Sequence, residues 1–581
     1  MSKNQPKLSR EEAAHREAGR TNVSRRLSRG ITFAFLALIV AVPLSQHVID
    51  LRATRAGARH GWPQAYSIFT ALPEAAEVFR QAEGSLWARV RKANASLLAA
   101  ITGYEDDLEK QSALNQALIG PVQFFQASRF GQGNEKVYLG KDRWLFFRPD
   151  IDQLTGPGFL EPWRLAARSA TGSETAAAPQ PDPRKAVLDF ARQLDKRGIR
   201  LLLVPAPAKP SVHPEQFTAR WSPRDPPPQN PSFERFKRDV AAAGVLVFDP
   251  ALILRQAFRH TGKPQYLGTD THWTPDGMER AARELAAFIE TNVTLRPGAE
   301  AYTRTAVAVT NLGDVAAMLQ LPAGQDWVRE EPVVVRQVNA PRDGLLWQPD
   351  ESAEILVLGD SFANIYAMGE MGWGESAGFV QQLSYYLKRP LDALTRNDAG
   401  AYATRETLAR KLRSGQDRLA GKKLVVWEFA ARELATGDWK LLDLSLGTAP
   451  ESRFVVPEKG TDMVVEGTVA ARTPAPKPGS VPYKDHVVSV LLEDLRRDGK
   501  PLEPGSRALV FLFSMIDNKW QPPARYREGQ AVTLRLENWQ EVEGRYGSFN
   551  RSEFDDENLL LESPCWGSEP EAAGAPDASA K

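Results

Sequence analysis

The sequence predicts an α/β fold with a mainly parallel sheet that helices cover on both faces. Three apolar runs without alternation carry this prediction: "IRLLLVPAP", "EILVLGDSF" and "KKLVVWEF". The segments between them repeat apolar residues every three or four positions, as amphipathic helices do. Ligands of such sheets bind beyond the carboxyl ends of the strands, and Ser361 directly follows one of these ends.

Composition sets broad limits on the protein class. The chain has 581 residues, of which 42% are hydrophobic and 25% charged, and this fits a globular protein of two to four domains. A net charge of +1 gives no overall attraction to nucleic acid. One cysteine, Cys565, cannot form an internal disulfide, and no Cys/His cluster has zinc spacing. We therefore expect no metal, no cofactor and no nucleic-acid partner.

The amino terminus resembles a single-pass membrane anchor. Residues 1–29 form a basic tail with eight Lys or Arg against three Glu. The uncharged run that follows, "GITFAFLALIVAVPL" and its continuation to Ile49, is close to the span of a bilayer core. We predict a signal anchor at residues 30–50, with the basic tail cytoplasmic and the remaining chain on the far side. A cleaved signal peptide is the alternative.

A helical juxtamembrane region is predicted over residues 51–133. Its stretch Ala71–Leu118 is rich in Ala, Leu, Glu and Lys with helical spacing of apolar residues. The α/β domain is predicted over residues 134–447 and opens with a strand hairpin, "KVYLGKDRWLFF". Within it, Ala167–Arg184 resembles a surface loop and Gly244–Pro250 a further buried strand.

The last part of the chain has a different texture. "DMVVEGTVAA", "HVVSVLLEDL", "ALVFLFSMI" and "AVTLRLENW" are short strand candidates separated by turns rich in Gly and Pro. They predict a small β-rich domain over residues 448–564. Residues 565–581 have the composition of a disordered tail.

A hydroxyl nucleophile at Ser361 needs a base, and His272 is the histidine best placed in the sequence to supply it. It lies in the polar loop "LGTDTHWTPDG", two residues after Asp270. In an extended loop, alternate side chains project together, so the carboxylate can orient the imidazole while its other nitrogen takes the serine proton. Backbone N–H groups of a tight strand-to-helix turn could stabilise the oxyanion.

Each motif has a purely structural alternative. Asp270 and His272 could be a helix cap with a neighbouring histidine, or two metal ligands that lack a third. The Gly-Asp-Ser turn could be no more than the end of a strand.

Together the motifs resemble the alginate O-acetyltransferase family, the AlgJ/AlgX-like proteins of the SGNH hydrolase superfamily. The resemblance covers about Asn134 to Lys440 and is carried by "KVYLGKDRWLFF", "RGIRLLLVPAPAKPSVHPE", "GTDTHWTPDG", "LVLGDSFA" and "LVVWEFAARE". It implies an SGNH-like three-layer domain in which Ser361 is the nucleophile, His272 the base and Asp270 the orienting acid.

The resemblance also implies an activity and partners. These are periplasmic O-acetylation of an exported, alginate-like polysaccharide at the inner membrane, with acetyl delivered by a membrane-bound O-acyltransferase. Two other functions share the sequence features: a carbohydrate acetylesterase, and a non-catalytic glycan-binding scaffold of a secretion complex.

Three further positions are candidates with structural alternatives. The SGNH oxyanion Asn has no sure counterpart, and Asn397 in "TRNDAG" is the candidate. Lys209 could contact substrate or be an ordinary surface lysine. Trp273 could stack on a sugar ring or belong to the core. The long helical segment and the carboxyl-terminal β region depart from the family pattern.

Overall fold

The computed structural model describes residues 24–55, 69, 71–81, 85–171, 178–221, 225–341, 344–397, 400–448, 454–476, 478, 481, 483–503, 505–554, 559 and 562–570. Most of the predicted basic tail and residues 571–581 lie outside these ranges. The disordered tail predicted over residues 565–581 needs correction at its start, where Cys565–Ser568 form a strand. The chain divides into two compact units, Met1–Val122 and Gln123–Lys581.

The amino-terminal unit is helical. Its helices are Arg25–Arg55, Ala71–Gln81 and Leu86–Gln111, and a fourth, Ala113–Phe125, begins within it. By length and composition the first could cross a membrane, and its large side chains Ile31, Phe33 and Phe35 are exposed. The single helix expected over Ala71–Leu118 is instead divided, with one break at Ser112, whose hydroxyl accepts a hydrogen bond from the Asn115 backbone.

The second unit contains the predicted α/β domain. Its strands are β1 (Val137–Leu139), β2 (Leu145–Phe147), β3 (Arg200–Ala206), β4 (Leu246–Val247), β5 (Thr303–Asn311), β6 (Glu331–Asn339), β7 (Ile355–Gly359), β8 (Asp392–Thr395) and β9 (Leu424–Ala430). Five of them form one sheet in the order β4-β3-β9-β7-β8, and each described pairing is parallel. The mainly parallel sheet predicted from the apolar runs is therefore confirmed.

Helices cover this sheet on both faces. Those of eight or more residues in the domain are Arg148–Thr155, Pro162–Ser169, Pro183–Asp195, Phe233–Ala242, Ala251–Thr261, Pro275–Asn292, Phe379–Leu387 and Ala403–Arg413. Short helices lie at Lys209–Val212, Pro214–Phe217, Asp314–Met318, Ser361–Asn364 and Glu433–Thr436. In β3, Leu202 and Val204 enter one hydrophobic core, while Leu201 and Leu203 enter another. Successive side chains are buried on opposite faces, which explains why the strands lack alternation.

Three local expectations need correction. The strand expected at Gly244–Pro250 is only the two-residue β4. The loop expected at Ala167–Arg184 is entered by helices at both ends, with residues 172–177 outside the described ranges. The antiparallel hairpin β5–β6 was not predicted, because β5 is partly exposed along its length and shows no buried run.

The β-rich domain is a closed sheet. Its strands are β10 (Asp462–Arg472), β11 (His486–Arg497), β12 (Lys500–Pro501), β13 (Ala508–Ile516), β14 (Lys519–Trp520), β15 (Ala531–Asn538), β16 (Arg551–Ser552) and β17 (Cys565–Ser568), with a helix at Trp539–Tyr546. The path β11-β10-β15-β17-β13 closes because β13 also pairs with β11. We call this domain the barrel.

A buried cluster of charges joins the barrel to the α/β domain. Glu553 pairs with Arg396 at 3.1 Å, with Arg410, and with Arg551 at 2.5 Å. Burial alone raises the pKa of Glu553, but the three guanidinium groups outweigh it and hold the pKa far below its usual range. Arg396 directly follows β8, so this cluster fixes the barrel beside the carboxyl ends of the parallel strands.

Replacing the carboxylate tests this junction. Glu553→Gln leaves buried guanidinium groups without their shared anion, so we expect a loss of roughly 3–5 kcal/mol in the free energy of unfolding. The measurement is the denaturant midpoint. Glu528→Gln, the same change at an exposed barrel position, is the control. Equal midpoints for the two variants would contradict the assigned role.

Candidate active site

A tight turn after β7 presents Ser361. Asp360 caps the short helix Ser361–Asn364, since its Oδ1 accepts a hydrogen bond from Phe362 N at 2.8 Å. Its Oδ2 accepts another from Ala430 N at 2.7 Å, which ties the turn to the end of β9. A Cβ on Gly359 would lie 2.6 Å from the Cβ of Ala363, so only glycine lets the helix fold back this closely. Ser361 is thereby held at the carboxyl edge of the sheet.

The loop before the helix Pro275–Asn292 carries Asp270 and His272. An antiparallel bridge between Tyr266 and Trp273 closes the loop at its base. The backbone N–H groups of Gly268 and Thr269 donate to the carboxylate of Glu331, the first residue of β6. The unpredicted hairpin therefore anchors the loop.

The structure brings Asp270, His272 and Ser361 into one hydrogen-bonded chain. His272 Nδ1 lies 2.6 Å from Asp270 Oδ1, and His272 Nε2 lies 2.8 Å from Ser361 Oγ. An ionised carboxylate only accepts, so Nδ1 carries the proton and donates it. Nε2 is then the acceptor for the serine hydroxyl. This is the geometry that general-base activation of a hydroxyl requires.

Asp270 is the most heavily bonded group of the site. Its carboxylate accepts from the backbone N–H and the Nδ1 of His272, from Asp314 N at 3.1 Å and from Trp373 Nε1 at 3.1 Å. Burial raises the pKa of Asp270, but the imidazole charge and these donors outweigh it, so the pKa falls below its usual value. Asp270 therefore stays ionised beside the imidazole.

The pKa values of His272 and Asp314 are raised, whereas that of Asp270 is lowered. Burial lowers the pKa of His272, yet the charge and hydrogen bond of Asp270 dominate and raise the pKa above its ordinary value of 6.5. Burial, followed by the charge of Asp270, raises the pKa of Asp314 to about 6. Asp314 Oδ2 accepts from the hydroxyl of Thr271 and lies 4.0 Å from His272 Nδ1. The charges of two carboxylates, Asp270 and Asp314, thus both raise the pKa of one imidazole, that of His272.

A cavity of about 220 Å³ opens at Ser361 and His272. The α/β domain contributes Phe147, Asn311, Asp314, Glu370, Asn397 and Arg432 among its walls. The barrel contributes Tyr483, Lys484, Asp485, Asn518, Phe549 and Asn550. A substrate that reaches Ser361 therefore lies between the two domains.

The family model described as "SGNH hydrolase-like domain, acetyltransferase AlgX" matches residues 137–431, just over half of the chain. The chain belongs to this family. Both the SGNH-like fold and the resemblance predicted from the motifs are thereby confirmed, and the match supports an acetyltransferase.

Curated relatives in Pseudomonas carry the name "Probable alginate O-acetylase AlgJ". The protein of Pseudomonas syringae pv. tomato is 26% identical over 58% of this chain and 78% of its own length. That of Pseudomonas aeruginosa is 28% identical over 52% of this chain and 72% of its own length. Among solved structures, the O-acetyltransferase domain of Pseudomonas putida AlgJ is 22% identical, with a TM-score of 0.38 over 52% of this chain and 93% of that one.

In this AlgX-family domain, Lys209 lies beneath the site rather than in the cavity. Its ammonium group is buried and donates to the carbonyls of Leu145, at 2.6 Å, and Gly268, at 3.2 Å. Burial lowers its pKa to about 8. This position corrects both interpretations made from the sequence, a substrate contact and an ordinary surface lysine. The side chain instead links the hairpin β1–β2 to the loop that carries His272.

Trp273 also lies in the core. It is fully buried, its indole N–H donates to Phe362 O at 3.1 Å, and its ring stacks on Phe379. This placement supports the core alternative and gives the ring no face for a sugar. Asn397 does line the cavity, and its Oδ1 accepts from Asn364 Nδ2 at 2.7 Å. A role for Asn397 in an oxyanion hole stays a prediction.

Several residues of the site were missed from the sequence. Asp314 and Trp373 had no spacing signal, because they reach Asp270 from distant segments. Glu428 did have a signal in the sequence, because it is an acidic residue inside an otherwise apolar strand. Burial and then the charge of Asp360 raise its pKa well above its usual value, and its Oε2 accepts from Asp360 N at 3.0 Å. Arg432, two residues beyond β9, lines the cavity.

The metal alternative gains a third candidate ligand, a carboxylate oxygen of Asp314, but not the geometry. Candidate ligand atoms of Asp270, His272 and Asp314 lie within 4.8 Å of one another. However, Nδ1 of His272 donates to Asp270, and Nε2 faces Ser361. Neither nitrogen has a lone pair aimed at a site between the carboxylates. The hydrogen bonds favour proton transfer over metal binding.

Histidine titration tests these electrostatics. We expect the pKa of His272 above 6.5, whereas burial and then Arg396 lower the pKa of His486 in the barrel to about 4. Near pH 6, roughly, His272 should be charged and His486 neutral. The measurement is NMR of labelled imidazoles, assigned with His272→Gln. Asp270→Asn should lower the pKa of His272 alone, and an unchanged His272 pKa in that variant would contradict the assignment.

Proposed function

We propose that this chain is a membrane-anchored, periplasmic O-acetyltransferase that acts on an exported polysaccharide through Ser361, His272 and Asp270. The observation that carries the proposal is the bonding of His272 at both nitrogens, to a buried carboxylate and to a serine hydroxyl. A protein that only bound a glycan would not need these two hydrogen bonds. The names of the curated relatives supply the acyl group and point to a polysaccharide as the class of acceptor.

In the first half-reaction, His272 Nε2 takes the proton of Ser361 Oγ while the oxygen attacks the donor carbonyl. A Ser361 acetyl ester forms, and the imidazolium returns the proton to the leaving group. Asp270 stabilises the charged imidazole and holds its tautomer. Only the neutral imidazole can accept the proton, so transfer requires pH values above the pKa of His272.

In the second half-reaction, the same nitrogen takes a proton from an acceptor hydroxyl. The resulting alkoxide-like oxygen attacks the acetyl ester, and the proton passes to Ser361 Oγ as it leaves. Ser361 lies at the first position of its short helix, so backbone N–H groups of this turn are the candidates for oxyanion stabilisation.

We propose further that the helix Arg25–Arg55 is the anchor and that the catalytic domain faces the periplasm. Its exposed apolar side chains and the preceding basic residues support this orientation. In that position the domain would receive acetyl from a membrane-bound O-acyltransferase, the donor partner that the family resemblance implies.

Trapping the ester tests the nucleophile. Incubation with an activated acetate ester should add one acetyl group to Ser361, detected by mass spectrometry. Ser361→Ala should lower turnover by about 10⁴-fold or more, because the residues of such a chain act as a unit. Ser352→Ala, the same change at an exposed serine that precedes β7, is the control. An adduct elsewhere, or turnover that survives in Ser361→Ala, would sink the proposal.

Removal of the anchor tests the location. A chain that lacks residues 1–50 and is exported by a cleavable leader should still form the Ser361 ester with a soluble donor. In cells it should acetylate polysaccharide less than the anchored chain, because donor delivery is then by diffusion. Equal polymer acetylation by both forms would rule out a need for the anchor.

A further inference from the structure

The barrel completes the cavity at Ser361, and its residues bear on whatever acceptor enters. Tyr483, Lys484 and Asp485 form part of one wall, and Phe549 and Asn550 part of another. The acceptor class can therefore be inferred from the groups that both domains turn toward the cavity.

Acidic groups outnumber basic ones around this cavity. The described lining residues include four carboxylates, Asp270, Asp314, Glu370 and Asp485, against two permanent cations, Arg432 and Lys484, and the imidazole of His272, which must be neutral to act as the base. The excess of carboxylates in this lining disfavours a negatively charged acceptor.

Glu370 and Asp485 act on the same space. Burial raises the pKa of Glu370, and the negative charge of Asp485, across the domain boundary, raises it further. Asp485 is half-buried and its Oδ1 accepts from Asp517 N at 2.7 Å, so the carboxylate is held in place. Acids from both domains thus line the space that an entering sugar occupies.

The cation nearest the reacting atoms is already engaged. Arg432 Nη1 lies 3.4 Å from the buried carboxylate of Asp150, and its guanidinium lies over the rings of Phe147 and Phe362. Lys484, the other cation, is exposed and adjoins Asp485 in the chain. The charge of Arg432 is thus shared with Asp150, and that of Lys484 lies beside the carboxylate of Asp485 in the chain.

The uncharged lining suits hydroxyl groups. Asn311, Asn397, Asn518 and Asn550 place four amide side chains around the cavity, and Phe147, Tyr483 and Phe549 add aromatic surface. Asn550 is only 5% exposed, and its Oδ1 has no hydrogen-bond partner among the described residues. A buried acceptor of this kind is satisfied by a donor that enters the cavity, such as a sugar hydroxyl.

We propose that the acetyl acceptor is an uncharged glycan rather than a polyuronate, and that Glu370 and Asp485 exclude acidic sugars. This inference rests on the proposed function and narrows its acceptor. Exclusion by fixed like charge is a common way to obtain specificity where attractive contacts to two sugars are similar. It sets this chain apart from relatives whose name specifies alginate.

The test compares two acceptors that differ in charge. The full chain in detergent is loaded from 4-nitrophenyl acetate and offered either a neutral β-linked glucose hexamer or a β-linked uronate hexamer at low salt. We expect kcat/KM for the neutral hexamer to be at least about ten-fold higher. If neither is acetylated, the same pair is compared as inhibitors of nitrophenol release, where the neutral hexamer should bind about ten-fold tighter.

Charge removal provides the decisive comparison. The double variant Glu370→Gln/Asp485→Asn should shrink the ratio between the two hexamers to about three-fold or less. Glu330→Gln/Glu528→Gln, which removes two exposed acids that do not line the cavity, should leave the ratio intact. A wild-type preference for the uronate, equal use of both, or an unchanged ratio in the cavity variant would overturn the inference. Absence of the Ser361 acetyl ester would instead overturn the proposed function, so the two failures are distinguishable.

Discussion

The buried carboxylate of Asp270 is the group on which the site depends. A carboxylate buried away from water is stable as an ion only when its oxygens accept enough hydrogen bonds. Donors from three separate segments provide these hydrogen bonds to Asp270. His272 donates twice from the same loop, Asp314 donates from the helix after β5, and Trp373 donates from the segment after the Ser361 helix. Because these donors must converge, the loop, the hairpin β5–β6 and the serine turn are locked together. The orientation of His272 toward Ser361 is a consequence of that convergence.

The core of this arrangement could be predicted from the sequence, since its signals are local. Unbroken apolar runs predicted the parallel sheet, and Asp270 and His272 share a face because they are two residues apart in one loop. The supporting residues could not be found in this way. Trp373 meets Asp270 across 103 residues, and Lys209 meets Gly268 across 59, so only the folded chain shows the contacts. The alternatives left open for Trp273 and the substrate contact considered for Lys209 could be decided only by the structure, because position in sequence does not fix which way a side chain points.

A second constraint acts at the domain boundary. The cluster around Glu553 holds Arg396, and the next residue, Asn397, lines the cavity. Burial of three guanidinium groups is stable only while the barrel supplies their anion. The barrel is therefore held against the α/β domain. This contact fixes the loop after β8 beside Ser361, and it places Tyr483, Asp485 and Asn550 in the walls of the cavity. Stability of the junction and shape of the cavity are two results of one buried charge cluster.

The proposed chemistry requires the acetyl donor and the acceptor to use the same cavity, which both domains line. His272 has a single nitrogen available for proton transfer, because the other is bound to Asp270. The donor and the acceptor must then use that nitrogen in turn, so the acceptor hydroxyl has to occupy the position that the first leaving group vacates. One cavity serves both half-reactions, and any residue that lines it acts on both. Selection among acceptors consequently falls to groups that lie farther from Ser361 than the acetyl carbonyl does, and in this chain those groups come from the barrel as well as from the α/β domain.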